Sequence, residues 1–255
     1  MIDRAFAEHG KRAALMPYLM GGFPSLDASR AIGEACLDNG GDLLELGVPY
    51  SDPLADGPVI QAAGAQALRA GATIDGVLDV GEALAARAPV VLMAYANLIL
   101  ARGVENLAGE LAARGIAGLI VPDLPLEEAD AVLAACDDAG VALVPLVAPT
   151  TTDERLDAIG ARARGFVYTV SVIGTTGERT ALADRFADVV GRAKAHTSVP
   201  VALGFGISTP EQAAEAAAAG ADGVIVGSRL VRAAGEGGAD AVGEAVAQLA
   251  AGLAR

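Results

Sequence analysis

Tryptophan is absent from the 255 residues, and lysine, histidine and cysteine occur only twice each. Cys36 and Cys136 lie far apart, each inside an Ala-rich helical pattern, and read as buried thiols in a reducing compartment rather than a disulfide frame. No His, Cys and carboxylate cluster has metal-ligand spacing, so no metal is expected. There is no G-x-S-x-G elbow and no phosphate-binding P-loop. A run of 18 apolar residues, enough to cross a bilayer, is missing. So is a cationic stretch leading into an apolar one, the mark of a signal peptide. The expected location is the cytoplasm. Positive charge is also short, with 18 Lys and Arg against 32 Asp and Glu, a net charge of −14. That balance argues against nucleic acid or an anionic membrane surface as partner. A phosphorylated substrate stays open, because backbone N–H groups bind anions without a local lysine.

What the chain does have is aliphatic residues. Hydrophobic content is 53% with only 4% aromatics, so the core is built from Ala, Val, Leu and Ile. Short, near-continuously apolar runs recur at residues 15–19, 42–46, 90–94, 118–121, 142–147, 166–170, 201–203 and 223–226, as expected of parallel strands covered on both faces. Amphipathic Ala-rich segments separate them. The segment from Ser25 to Asn39 opens on a capping serine and stops at Gly40-Gly41, and "STPE" at Ser208 to Glu211 starts another helix that ends at Gly220. Between the second and third strand candidates the connection is the longest and holds two helical patterns broken at Gly71. A further helix precedes the first strand. No linker or composition shift divides the chain. The pattern predicts a single (β/α)₈ barrel domain over residues 1–255, with an N-terminal helix and an extra helical segment after strand 2. An open doubly wound sheet is the alternative.

In such a barrel the active site lies at the C-terminal ends of the strands. Lys11 precedes the first strand and Lys194 lies in the helix before the seventh, so neither supplies a Schiff-base amine there. His9 and His196 are similarly remote and read as surface residues. What stands at the strand ends is acidic: Glu45 on the second strand, Asp52 and Asp56 in its loop, and Asp123 in "VPDLP" after the fourth. Asp123 reads as a turn or helix-capping residue, and Asp52 suits a turn. Glu45 differs, since a glutamate in an apolar strand must face the barrel mouth or suffer desolvation. Partial burial raises its pKa toward the range where one carboxyl can donate and then accept a proton. The other informative ends are glycine-rich. "LGFGIS" (203–208) and "VGSRL" (226–230) follow the seventh and eighth strands, the usual phosphate loops of these barrels, and "VIGTTGER" (172–179) follows the sixth. The residues alone describe a barrel without metal or Schiff-base lysine that binds a phosphorylated substrate and transfers protons with carboxylates. Isomerases, lyases and some synthases all satisfy that description.

The stretch "ELGVPYSDPLADGPVIQ" (45–61) closely resembles the signature of the tryptophan synthase α subunit family. "MAYANLI" (93–99), "GLIVPDLPLEE" (118–128), "GFGIS" (204–208) and "VGS" (226–228) follow in the family's order along essentially the whole chain. The resemblance implies retro-aldol cleavage of indole-3-glycerol phosphate to indole and glyceraldehyde 3-phosphate. It implies Glu45 as the acid–base residue and Asp56 as the carboxylate that accepts the indole N–H. It implies phosphate contacts from Gly177, Phe205, Gly206, Gly227 and Ser228. An indole pocket is implied from Tyr18, Ile60, Met93, Ile120, Leu146 and Phe205, with Tyr168 beside Glu45 and Thr176 closing on Asp56. No cofactor is implied in this chain. Pyridoxal phosphate is expected in a partner β subunit within an α2β2 assembly, contacted through Pro49, Asp52 and Pro53 and coupled through that loop and the Thr176 loop. The sequence departs from the family at Tyr18, where Phe is frequent, at Thr175, where Val is common, at Val172, where a basic residue is missing, and in the looser "MGGFP" (20–24). A stand-alone lyase, a non-catalytic stimulatory subunit and a different phosphate-binding barrel are the competing readings.

Overall fold

Parallel strands that are apolar on both faces need cover on both, and closing the sheet on itself provides it on one side while helices provide it on the other. A computed structural model describes residues 1–170, 179–204 and 206–255. Helix α1 (Ile2–Glu8) precedes strand β1 (Ala14–Met20), followed by α2 (Leu26–Asp38) and β2 (Leu44–Gly47). Next come α3 (Pro58–Arg69), α4 (Ile74–Ala85), β3 (Val90–Met93), α5 (Ala96–Arg102), α6 (Val104–Ala113) and β4 (Gly118–Ile120). A 3₁₀ turn (Leu126–Glu128) leads into α7 (Asp130–Ala139), β5 (Ala142–Val144), β6 (Leu146–Val147) and α8 (Asp153–Arg162). The chain continues through β7 (Val167–Val170), α9 (Arg179–Ala195), β8 (Val201–Gly204), α10 (Pro210–Ala218), β9 (Gly223–Val226) and α11 (Ser228–Gly252).

The strands pair in parallel in the order β5-β4-β3-β2-β1-β9-β8-β7-β6. Its two ends, β5 and β6, are successive stretches of one run separated only by Pro145, so the sheet returns to its start as a (β/α)₈ barrel. One expectation is corrected here: residues 142–147 do not form one uninterrupted strand. Proline has no N–H to offer the ladder, and the run divides at Pro145, whose carbonyl accepts from Tyr168 N at 2.9 Å. The connection after β3 also holds two helices, because Gly103 at φ 90° ends α5 and admits α6.

Local chemistry sets the helix limits. Ser25, Thr73 and Thr152 each accept a backbone N–H of the first turn, and Thr209 forms a reciprocal capping box with Gln212 at the start of α10. The Gly71 break between α3 and α4 stands where the sequence places it, at φ 86°.

Both lysines work at the N-terminal mouth. Lys11 Nζ donates to Gly40 O (3.0 Å) and Asp42 (2.7 Å), and Asp42 accepts Leu15 N of β1 (2.7 Å). Lys194 Nζ repeats the device on Gly220 O (3.0 Å) and Asp222 (2.7 Å), and Asp222 accepts Val201 N of β8 (2.8 Å). Cys36 and Cys136 are free and buried, and burial pushes their thiols up to about 12 and about 11. Among the described residues no helix is long and apolar enough to cross a membrane.

Candidate active site

Alternation along β2 decides where its glutamate goes. Leu46 packs outward beside α4, near Gly81, while Glu45 faces the barrel interior with Gly47 on the same side of the strand. Glu45 is registered between Tyr18 of β1 and Val91 of β3. It is 2% exposed, and its Oε2 has no hydrogen-bond partner. Burial, with a smaller contribution from the Asp56 charge, raises its pKa to about 8. At neutral pH this carboxyl therefore holds its proton and can give it up to a basic centre.

Asp56 reaches the same space from the loop after β2. Burial raises its pKa, opposed by a hydrogen bond from the Tyr95 hydroxyl. That hydroxyl also accepts Ala55 N at 3.0 Å, and the Tyr95 ring stacks on Tyr50 with centroids 5.0 Å apart. Tyr95 thus clamps the acidic loop to the end of β3. Sequence reasoning missed it, since it sits in an apolar run and its partners lie some 40 positions upstream. Asp123 is a capping residue as read, and it accepts Ala96 N at the start of α5 (2.8 Å) rather than facing the cavity.

A cavity of about 270 Å³ opens at the C-terminal ends of the strands. It brings together Tyr18, Glu45, Asp56, Ile60, Met93, Leu146, Tyr168, Gly206, Gly227 and Ser228. Two glycines admit its tyrosines: a Cβ at Gly47 would overlap the Tyr18 hydroxyl, and one at Gly204 would overlap the Tyr168 ring. Ile120 is fully buried and does not line the cavity. Pro122, two residues further on the same face, takes the wall position. Thr176, Gly177 and Phe205, like Val172 and Thr175, lie outside the described residues.

The carboxylates come from β2 and its loop, while the glycines of the loops after β8 and β9 supply a candidate anion end. Gly206 stands at φ 80°, and Gly227 precedes the first turn of α11, which carries no side-chain cap. Uncapped N–H groups at a helix start suit an anion. Exposed Arg232 lines the same end, one helical turn beyond Ser228. The sequence reading passed over it, although its i+4 spacing from Ser228 was the available signal. In the acidic loop Pro49 is buried, Pro53 is half-buried and Asp52 is exposed. Leu54 beside them is 84% exposed and Leu100 on α5 is 66% exposed, two large apolar side chains that face outward.

Residues 5–252 match the family described as tryptophan synthase alpha chain. The alpha chain of Gloeobacter violaceus is 51% identical over 238 residues, covering 91% of this chain and 85% of the relative. A structure of Mycobacterium tuberculosis tryptophan synthase superposes with a TM-score of 0.92 at 41% identity, covering 100% of this chain and 98% of that one. A chain of the tryptophan synthase α2β2 complex from Pyrococcus furiosus gives 0.87 at 38% identity, covering 94% and 98%.

Proposed function

The chain belongs to the tryptophan synthase alpha chain family, and from that premise we propose that Glu45 and Asp56 carry out the alpha reaction in the cavity they share. The reaction is carbon–carbon lysis of indole-3-glycerol phosphate to indole and glyceraldehyde 3-phosphate. Protonated Glu45 gives its proton to indole C3, which turns the ring into an electron sink. The proton of the adjacent glycerol hydroxyl then passes to the Glu45 carboxylate. The O–H pair becomes the carbonyl π bond, and the broken C–C pair returns to the ring. Glu45 ends as it began, protonated. Asp56 accepts the indole N–H and steadies the positive charge that builds on the ring. Tyr95 holds Asp56 in place. The phosphate is received by Gly206, Gly227, Ser228 and the first turn of α11, with Arg232 at the rim, and by Gly177 and Phe205 as the family resemblance implies. Tyr18, Ile60, Met93 and Leu146 make the apolar walls for indole.

The observation that carries this reading is Glu45 itself. A buried carboxyl with a pKa of about 8 and an open oxygen faces a cavity that also holds a second carboxylate. Assaying indole release by Glu45→Gln tests it, and near wild-type activity would overturn the assignment.

The chain works as the α subunit of an α2β2 assembly and delivers indole to a β subunit that carries pyridoxal phosphate. The loop with Pro49, Asp52 and Pro53 faces that partner, and exposed Leu54 and Leu100 supply the apolar contact. Adding β subunit is expected to stimulate indole release, and Leu54→Asp to blunt the stimulation while the isolated chain keeps its basal rate. Equal rates with and without β subunit would identify a stand-alone lyase instead. Two free buried thiols support a reducing, cytoplasmic location.

A further inference from the structure

We propose that the Tyr18 hydroxyl is a further catalytic group, donating a hydrogen bond to the oxygen of the substrate hydroxyl whose proton Glu45 removes. The inference rests on the reaction assigned to this cavity above.

Among the described residues, two buried side-chain atoms have no hydrogen-bond partner, Tyr18 Oη and Glu45 Oε2. Both residues line the same cavity and sit abreast in neighbouring strands. The Tyr18 ring starts beside Gly227, at the anion end, and crosses to Gly47, two residues above Glu45 on β2. Its hydroxyl therefore occupies the space that a side chain at Gly47 would claim. A phenylalanine would fill most of the same volume without burying an unpaired polar atom, which is unfavourable in a folded chain. Tyr95, by contrast, is committed, because its hydroxyl serves Ala55 N and Asp56.

An alcohol satisfies both orphaned atoms at once. Its oxygen accepts from Tyr18 and its hydrogen is directed to Glu45. The hydroxyl on the carbon attached to indole is the one that must lose its proton, so the pairing coincides with the reacting group. As the proton moves to the Glu45 carboxylate, the substrate oxygen gains negative charge until the C–C pair has left for the ring. The bond from Tyr18 is strongest at that moment, which makes it a transition-state rather than a ground-state interaction. Tyr18 keeps its own proton throughout, as burial and the nearby carboxylates hold its pKa well above the ordinary tyrosine value.

Tyr18→Phe tests the assignment. Turnover for indole release is expected to fall at least about tenfold, with KM nearly unchanged. Indole-3-propyl phosphate, the substrate skeleton without hydroxyls, is expected to bind the variant and the wild type equally. A Tyr18→Phe turnover equal to wild type would overturn the inference, as would an equal loss of affinity for the hydroxyl-free analogue. A raised KM with unchanged turnover would overturn it too, since that pattern marks a bond held equally before and during reaction. Thermal unfolding checks that the variant is folded, and it is expected to be at least as stable as the parent. A wild-type chain that released no indole would overturn the assigned reaction itself, whereas an active wild type matched by the variant removes only the role of Tyr18.

Discussion

At the N-terminal mouth of the barrel Lys11 and Lys194 each find a glycine carbonyl and an aspartate, and each aspartate in turn holds a strand N–H. At the C-terminal mouth Glu45 and Tyr18 are buried more deeply than either lysine pair, yet each keeps an atom without a partner. The first mouth spends its polar groups on holding the strands together. The second leaves them unsatisfied and facing a cavity, which costs stability and only makes sense if a ligand completes them. The contrast explains why a chain with just two lysines puts both where no substrate arrives.

Glu45→Gln should break the contrast most sharply. Indole release is expected to fall by about 10³-fold, while the fold becomes no weaker. The pH dependence gives the sign. Glu45 ionises near 4.5 when exposed but near 8 in the fold, so across that window the native chain binds more protons than the unfolded one. Native stability therefore declines as pH rises through it. Urea unfolding should show the glutamine variant gaining on the wild type from about pH 4.5 upward, with the gain levelling above about pH 8. A constant difference across that range would contradict the burial argument.

Asp56→Asn comes next in size. A loss of about 10²-fold in turnover is expected, with inorganic phosphate binding left near normal because the anion end uses other loops. Weakened phosphate binding would show that the two ends of the cavity are not separate. The smallest effect on catalysis is expected from Asp42→Ala at the opposite mouth. That change removes the carboxylate partner of Lys11, which keeps Gly40 O, and the side-chain acceptor of Leu15 N. It should lower unfolding stability by about 2 kcal/mol and leave turnover in the folded chain unchanged. A comparable loss of turnover would mean the two mouths are coupled.

How legible all this was in the sequence depended on the range of the interaction. The eight apolar runs, the Gly71 break and the helix starts at Ser25 and Thr209 are local signals, and the barrel follows from them. Glu45 was legible for the same reason, as a charge inside an apolar run. Pro145 was equally visible but was read through, because a proline near the end of a short run competes with the strong apolar pattern around it. Tyr95, Leu54 and Arg232 were missed on other grounds. The hydroxyl of Tyr95 acts on residues brought near only by the pairing of β2 with β3. The exposure of Leu54 depends on how the loop leaves the barrel, and an apolar residue in sequence gives no hint that it points outward. The hydrophobic pattern places Ile120 correctly in the core but cannot say which layer of a filled barrel reaches the cavity.

The division of the fifth run at Pro145 has a consequence for the chain among its neighbours. The sheet begins at β5 and ends at β6, and both belong to the same stretch of backbone. A flat sheet of these strands would show two apolar edges with free N–H and C=O groups, ready to recruit another molecule as an added strand. Here the covalent chain itself spans the gap, and the two end strands are short, three residues in β5 and two in β6. The ladder gives up one donor at Pro145, yet among the described residues the same run that carries both ends of the sheet also closes it.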